Sequence, residues 1–129
     1  SQDEYIYKFV TRQRWIEGRP DRNMLDKGTL YVAVFKEDGT GEWRALDIND
    51  PAFQAAAAAA GVSFANQADV LVNTRLAADI VGATPMDRPE WGAVHPQTRD
   101  VYFCLTNNSG RTVADAANPR TNNVNGHII

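Results

Sequence analysis

Apolar and other residues alternate over positions 5–11 with the two-residue period of a β-strand. A strand pattern returns at 30–35, where a β-branched and aromatic run is typical of a buried strand. The intervening segment, 12–27, is rich in charged residues and contains Gly18 and Pro20, which favours an exposed connection.

A polar stretch at 36–41 follows directly and predicts a tight turn. It contains Asp38 and Gly39, a pair that tolerates the positive φ of hairpin turns. Residues 42–46 regain the strand pattern, so we predict a β-hairpin whose arms are 30–35 and 42–46.

Residues 50–82 change to a helical pattern. Asp50 can cap the free backbone N–H groups of a helix, and Pro51 suits its first position. Gly61 is placed to end this helix after its alanine run, and Ser63 can cap a second one. The apolar residues that share a face of the second helix are Ala68, Val72, Leu76 and Ile80. We therefore predict a helical pair inserted between β segments.

Strand patterns resume after Pro89. Residues 92–95 and 100–106 predict two strands joined by a turn. Residues 107–125, rich in Asn, Gly, Pro and Thr, predict a long loop, and 126–129 look like the opening of another strand.

These elements predict a mainly β (β-rich α+β) fold: short antiparallel strands with a helical insertion at about 50–82, in a single domain, 1–129. Their spacing fits one to three blades of a β-propeller, whose repeats are about 40–50 residues long. A small α+β domain is the alternative. The chain opens without a signal peptide, and both ends suggest a segment cut from a longer protein.

Composition narrows the classes of function. Hydrophobic content of 43% and charged content of 22% are typical of a globular domain, and the longest apolar run, 55–62, is too short to span a bilayer. The net charge is −3 and the basic residues are scattered, so the chain lacks the basic surface of a nucleic-acid binder.

The single cysteine, Cys104, excludes an internal disulfide and is expected to be a small buried hydrophobe. With two histidines, metal chemistry would depend mainly on oxygen ligands, which suit hard cations.

Arg88 and Glu90 are the leading candidates for chemistry. Pro89 disfavours helix at Arg88, so we expect both side chains to be presented from a rigid extended segment. A guanidinium can hold a phosphate through two parallel hydrogen bonds, and a carboxylate can bind a hard metal. A surface Arg–Glu pair is the structural alternative. Asp87 can ligate a metal or cap the loop by bonding its own backbone.

The long loop contains a second set of possible substrate or metal ligands. They are Asn107, Asn108, Asn118, Arg120 and Asn123. Amide oxygens suit calcium and an arginine suits phosphate, whereas the alternative is that the asparagines only stabilise the loop. His95 is expected to be a turn residue, and His127 to pack or to bond the backbone.

A series of short segments that spans nearly the whole chain is informative when taken together and in order. They are 7–10, 28–33, 38–43, 74–79, 86–91, 95–96, 105–108, 118–120, Asn123 and 126–128. The hairpin segments suit many β proteins, but Met-Asp-Arg-Pro-Glu-Trp at 86–91 is more specific. On these residues the chain resembles the PhoX family of bacterial alkaline phosphatases.

This resemblance implies a large periplasmic or secreted phosphomonoesterase, built as a β-propeller, exported by the twin-arginine route and holding iron and calcium on its axis. Arg88 would contact the phosphate of the ester substrate, and Glu90, with Asp87 as a further candidate, would ligate metal. The rest of the propeller would come from the same parent chain, including the family's iron-ligating cysteine, which Cys104 does not match. The isolated chain is therefore expected to be nearly inactive.

Two other functions stay open. One is a non-enzymatic, calcium-binding propeller segment that serves as a scaffold or recognises a partner. The other is a propeller hydrolase acting on lactones, which would show a dedicated calcium site with a catalytic base and no phosphate-clamping arginine.

Overall fold

A computed structural model describes residues 1–19 and 21–129; Pro20, which the sequence places in the exposed connection, lies outside the described residues. The elements, in chain order, are β1 (Tyr7–Thr11), a 3-10 helix (Met24–Asp26), β2 (Gly28–Phe35), β3 (Gly41–Ala45), α1 (Pro51–Ala59), α2 (Gln67–Val72), α3 (Thr74–Ile80), β4 (Pro89–Val94), β5 (Val101–Leu105) and β6 (His127–Ile128). The strands form two three-stranded sheets, β1-β2-β3 and β4-β5-β6. The fold is therefore a small α+β arrangement.

The predicted hairpin is confirmed as β2 and β3. Its turn is closed by a 2.8 Å hydrogen bond from the Lys36 amide to the Thr40 carbonyl. Gly39 has φ +80°, as the Asp-Gly pair predicts, and the Asp38 carboxylate accepts from the Thr40 amide at 2.9 Å. β1 runs antiparallel to β2, with Tyr7 opposite Val32, so the first predicted strand is also confirmed.

The chain folds into two compact units. One consists of Ser1–Ile6, Val34–Glu42 and Thr84–Ile129, and the other of Tyr7–Ala33 and Trp43–Ala83. In the first unit, Met86 and Leu105 are buried together with several polar side chains. The core of the second unit includes Val32, Leu46, Phe53, Val70, Ala77 and Ala78.

The first predicted helix is confirmed as α1. The Asp50 carboxylate accepts from the Ala52 and Phe53 amides, at 2.8 and 3.0 Å, and satisfies donors that the first turn leaves free. Gly61, at φ +67°, follows the end of the helix. None of the helices in the described part of the chain is long and apolar enough to cross a membrane.

The prediction of a single second helix capped by Ser63 is wrong. Asn66 is the cap, since its side-chain oxygen accepts from the Asp69 amide at 3.0 Å. Asn73 then divides the segment into α2 and α3, because its side chain bonds the Asp69 carbonyl and its backbone leaves the helical region. This interruption changes which positions face inward: Val72 is 84% exposed. The predicted apolar face is therefore also wrong, and the insertion contains three helices.

The second sheet contains an irregularity at Glu90. Pro89 pairs with Leu105 and Trp91 with Cys104, so one extra residue of β4 lies between two adjacent residues of β5. A bulge of this kind bends a strand and redirects a side chain. The bulge and the turn before β4 determine how the candidate residues Arg88 and Glu90 are presented.

One face of the second sheet is an exposed apolar surface. Cross-strand pairing places on it Trp91, Ala93, Tyr102, Cys104 and Ile128. Trp91 is 70% and Ile128 67% exposed, and Cys104 is exposed as well. The expectation that Cys104 is buried is wrong, because no second layer of the described residues covers this face.

Candidate functional site

Asp87 lies at the centre of a buried polar cluster where the segment before β4 meets the long loop. Its side chain has no exposed surface. Asn123 Nδ2 donates to Asp87 Oδ2 at 2.8 Å, and Arg111 Nε donates to Asp87 Oδ1. The Asp87 amide donates to Asn118 Oδ1 at 3.1 Å. We call Asp87, Arg111, Asn118 and Asn123 the Asp87 cluster.

Arg111 is the cation of this cluster, and its side chain is only 9% exposed. Nη2 donates to the Pro85 carbonyl at 2.9 Å and lies 3.5 Å from the Asp3 carboxylate. Nη1 lies 3.6 Å from Asp115 Oδ2. Sequence reasoning did not identify Arg111, because an arginine in a polar loop looks like a solvated residue until its partners in other segments are known.

The buried asparagines of the second predicted set hold the loop together. Asn118 Nδ2 donates to the Asp115 carboxylate and, at 3.0 Å, to the Pro85 carbonyl. Asn108 Nδ2 donates to Asp3 Oδ1 at 2.9 Å, and Asn108 forms a β-bridge with Asn123. These contacts fit the alternative in which the asparagines stabilise the loop.

The rest of that set lies around the same loop. Arg120 is exposed, and its guanidinium donates to the Gly126 carbonyl and to Asn123 Oδ1. Asn107 is half-buried beside Asn108 at the start of the loop. Asn118 and Asn123 therefore form hydrogen bonds with Asp87 itself. Asn108 and Arg120 contact Asn123.

Both histidines have the predicted structural roles. His95 Nδ1 accepts from the Thr98 amide at 3.1 Å and closes the turn between β4 and β5. His127 Nε2 lies 2.8 Å from the Ala117 carbonyl and Nδ1 lies 3.1 Å from Asn123 Nδ2, which assigns the proton to Nε2.

Arg88 has an unusual backbone conformation. Its φ is +54°, in the left-handed region, so the predicted extended segment is wrong at this residue. The Arg88 amide donates to the Met86 carbonyl at 2.8 Å, which closes a three-residue turn around Asp87. Left-handed backbone costs an L-residue about 1–2 kcal/mol, so the surrounding contacts must maintain it.

The Arg88 side chain is half-buried, and its Nε has no hydrogen-bond partner among the described residues. A buried guanidinium donor without an acceptor is unfavourable, because its bond to water has been lost. An anionic ligand would satisfy it. Arg88 therefore has the local features expected of an anion-binding group.

Glu90 is exposed at the bulge of β4. Within the described ranges, no group of three or more His, Cys, Asp or Glu side chains is arranged to hold a metal ion. The Glu90 carboxylate offers an exposed oxygen ligand, but in the described part of the chain it does not belong to such a group.

The pKa of Asp87 reflects both its burial and the side chains that donate to its carboxylate. Burial by itself would raise the pKa of Asp87, but hydrogen bonds from Asn123 and Arg111, the charge of Arg111 and a smaller contribution from the Asn108 side chain lower the pKa below its ordinary value. The lowered pKa means that the folded protein favours the ionised carboxylate more strongly than the unfolded chain does.

We expect Asp87 to make stability depend on pH in the acid range. Its contribution is fully present above about pH 4 and is lost as the pH falls through the lower folded-state pKa. Urea titrations at a series of pH values from about 5 to 2 should give a flatter dependence for Asp87→Asn than for the wild type. Identical slopes for the two proteins would contradict this.

Comparison with known proteins identifies the family to which the chain belongs. The family model described as alkaline phosphatase PhoX matches residues 1–129, so the chain belongs to this family and the resemblance is confirmed. A solved structure, Pseudomonas fluorescens PhoX in complex with vanadate, a transition state analogue, is 40% identical, with a TM-score of 0.85. The match covers 99% of this chain and 24% of that one, so the chain spans about a quarter of that protein's length. No curated protein matches the chain.

Proposed function

We propose that this chain forms part of the active site of a metal-dependent phosphatase that hydrolyses phosphate monoesters, with Arg88 contacting the substrate phosphate. The observation that carries the proposal is the buried Nε of Arg88, which has no hydrogen-bond partner in the described part of the chain, on a left-handed backbone. Two guanidinium N–H groups match two phosphate oxygens, and the contact strengthens as charge develops in the transition state. Family membership and the vanadate bound to the related PhoX support this assignment.

Glu90 is proposed as a metal ligand whose partners come from other segments of the parent protein. Its exposed position at a bulge supports this, since it leaves the carboxylate open to a group approaching from outside the chain. Calcium and iron are the ions proposed. Bound cations would neutralise charge on the phosphoryl group.

We also propose that the chain is part of a β-propeller and packs against other sheets of the same parent chain. The exposed apolar face of the β4-β5-β6 sheet supports this, because apolar surface with Trp91 and Ile128 open to water favours a covering layer. A periplasmic or secreted location is proposed on the family resemblance. The chain alone should be nearly inactive toward phosphate esters.

The test uses the full-length protein that carries this sequence. Arg88→Ala should weaken binding of inorganic phosphate about 100-fold, since a charge-assisted pair of hydrogen bonds is lost. Arg99→Ala is the matched control: Arg99 is exposed, has φ +67° and lies in the turn after β4, so phosphate binding should stay within about 2-fold. Isothermal titration calorimetry measures both.

Glu90→Gln tests the metal assignment in the same protein. Elemental analysis should show less bound calcium or iron, with phosphatase activity reduced in proportion. Full metal content in Glu90→Gln would overturn the role of Glu90. Phosphate binding unchanged by Arg88→Ala would overturn the phosphatase assignment of this segment, and metal binding without phosphatase activity would favour the scaffold function.

A further inference from the structure

The backbone on both sides of Arg88 is tied down by hydrogen bonds. On one side, the Asp87 amide donates to Asn118 Oδ1 at 3.1 Å. On the other, the Arg88 carbonyl accepts from the Thr106 amide at 3.1 Å. Between them, the turn closed from Arg88 to Met86 has Asp87 at its centre. The orientation of Asp87 therefore determines the direction in which the chain enters Arg88.

The Asp87 side chain is fixed as firmly as its amide. Its two carboxylate oxygens accept from different residues, Arg111 and Asn123. Arg111 is itself held by the Pro85 carbonyl, one residue before Met86, so the same guanidinium contacts both the centre of the turn and the residue that precedes it. Together, these hydrogen bonds can maintain the left-handed backbone of Arg88, a conformation that costs about 1–2 kcal/mol in isolation.

We propose that Asp87 and Arg111 form a positioning pair, which keeps Arg88 in its left-handed conformation and directs its guanidinium to the phosphate. Asp87 acts through Arg88 and does not contact the substrate or ligate a metal. The inference rests on the proposed role of Arg88 in phosphate binding. It assigns a function to Arg111 and gives Asp87 a role different from that of a metal ligand.

The occupied oxygens of Asp87 favour positioning over metal binding. A metal ligand must offer a lone pair to an accessible ion, whereas Asp87 is completely buried and both oxygens already accept hydrogen bonds. The cation on Oδ1 is the guanidinium of Arg111, which occupies the position that a metal would need there.

A double-mutant cycle in the full-length protein tests the pair, with inorganic phosphate as the probe. Asp87→Asn should weaken phosphate binding about 10-fold in the wild-type background and change it less than about 2-fold in the Arg88→Ala background. Metal content should be unchanged. Arg111→Lys keeps a cation but loses the planar guanidinium. It should also weaken phosphate binding only when Arg88 is present, by less than Asp87→Asn does.

Lys36→Met is the matched control, because it removes one cation from an exposed ion pair with Glu42 and should leave phosphate binding unchanged. Equal effects of Asp87→Asn in both backgrounds would overturn the proposal, as would loss of metal in Asp87→Asn. If Arg88→Ala by itself leaves phosphate binding intact, the proposed function fails instead, so the two failures are distinguishable. Arg111→Lys replaces Asp87→Asn in the cycle if the latter does not fold.

Discussion

Arg111→Met is expected to lower the free energy of unfolding by about 3–5 kcal/mol, because it leaves a buried carboxylate without its cation. Asp87 is fully buried, and the Arg111 side chain is 9% exposed, so water cannot replace the lost partner without rearrangement. The same change also removes the donor to the Pro85 carbonyl. Urea titration of the purified protein at pH 7 measures the loss.

Two further variants separate this effect from a general loss of charge. Asp87→Asn added to Arg111→Met should recover part of the stability, since the uncompensated charge is then removed. Lys36→Met, which breaks a 3.0 Å ion pair between side chains 48% and 39% exposed, should cost less than about 1 kcal/mol. If Arg111→Met lowers the free energy of unfolding by as little as Lys36→Met does, Asp87 and Arg111 do not form a stabilising buried ion pair.

Gly126→Ala should destabilise the protein by about 2–5 kcal/mol, from strained backbone and steric overlap together. Gly126 has φ +69°, and an added Cβ would overlap the carbonyl oxygens of Leu105 and Thr106. The neighbouring backbone cannot yield freely, because Gly126 donates to Asn123 Oδ1 and its carbonyl accepts from Arg120. Thermal or urea unfolding of the variant measures the effect.

Gly61→Ala is the control for the backbone contribution. Gly61 has nearly the same φ, +67°, but an added Cβ would meet no atom of the described residues within 4 Å. Gly61→Ala should therefore lower the free energy of unfolding by only about 1–2 kcal/mol. Equal losses at Gly61 and Gly126 would mean that the close approach of the Leu105 and Thr106 carbonyls contributes nothing.

The candidate site was partly predictable from the sequence. The motif at 86–91 identified Arg88 and Glu90 as chemically distinctive residues, and the family resemblance it supported is confirmed. The left-handed conformation of Arg88 was not predictable, because a residue before proline ordinarily adopts extended backbone. The turn around Asp87 overrides that preference, and the turn depends on hydrogen bonds from another segment.

The sequence by itself determined the features that depend on near neighbours. The Asp38-Gly39 turn and the Asp50 cap form within a few residues, so local chemistry decides them. Only the tertiary structure decided the Asp87 cluster, whose contacts join Asp87 to residues 24, 31 and 36 positions away. Arg111 becomes the partner of a buried carboxylate because the long loop folds back on the segment before β4, and no local pattern in the chain encodes that return.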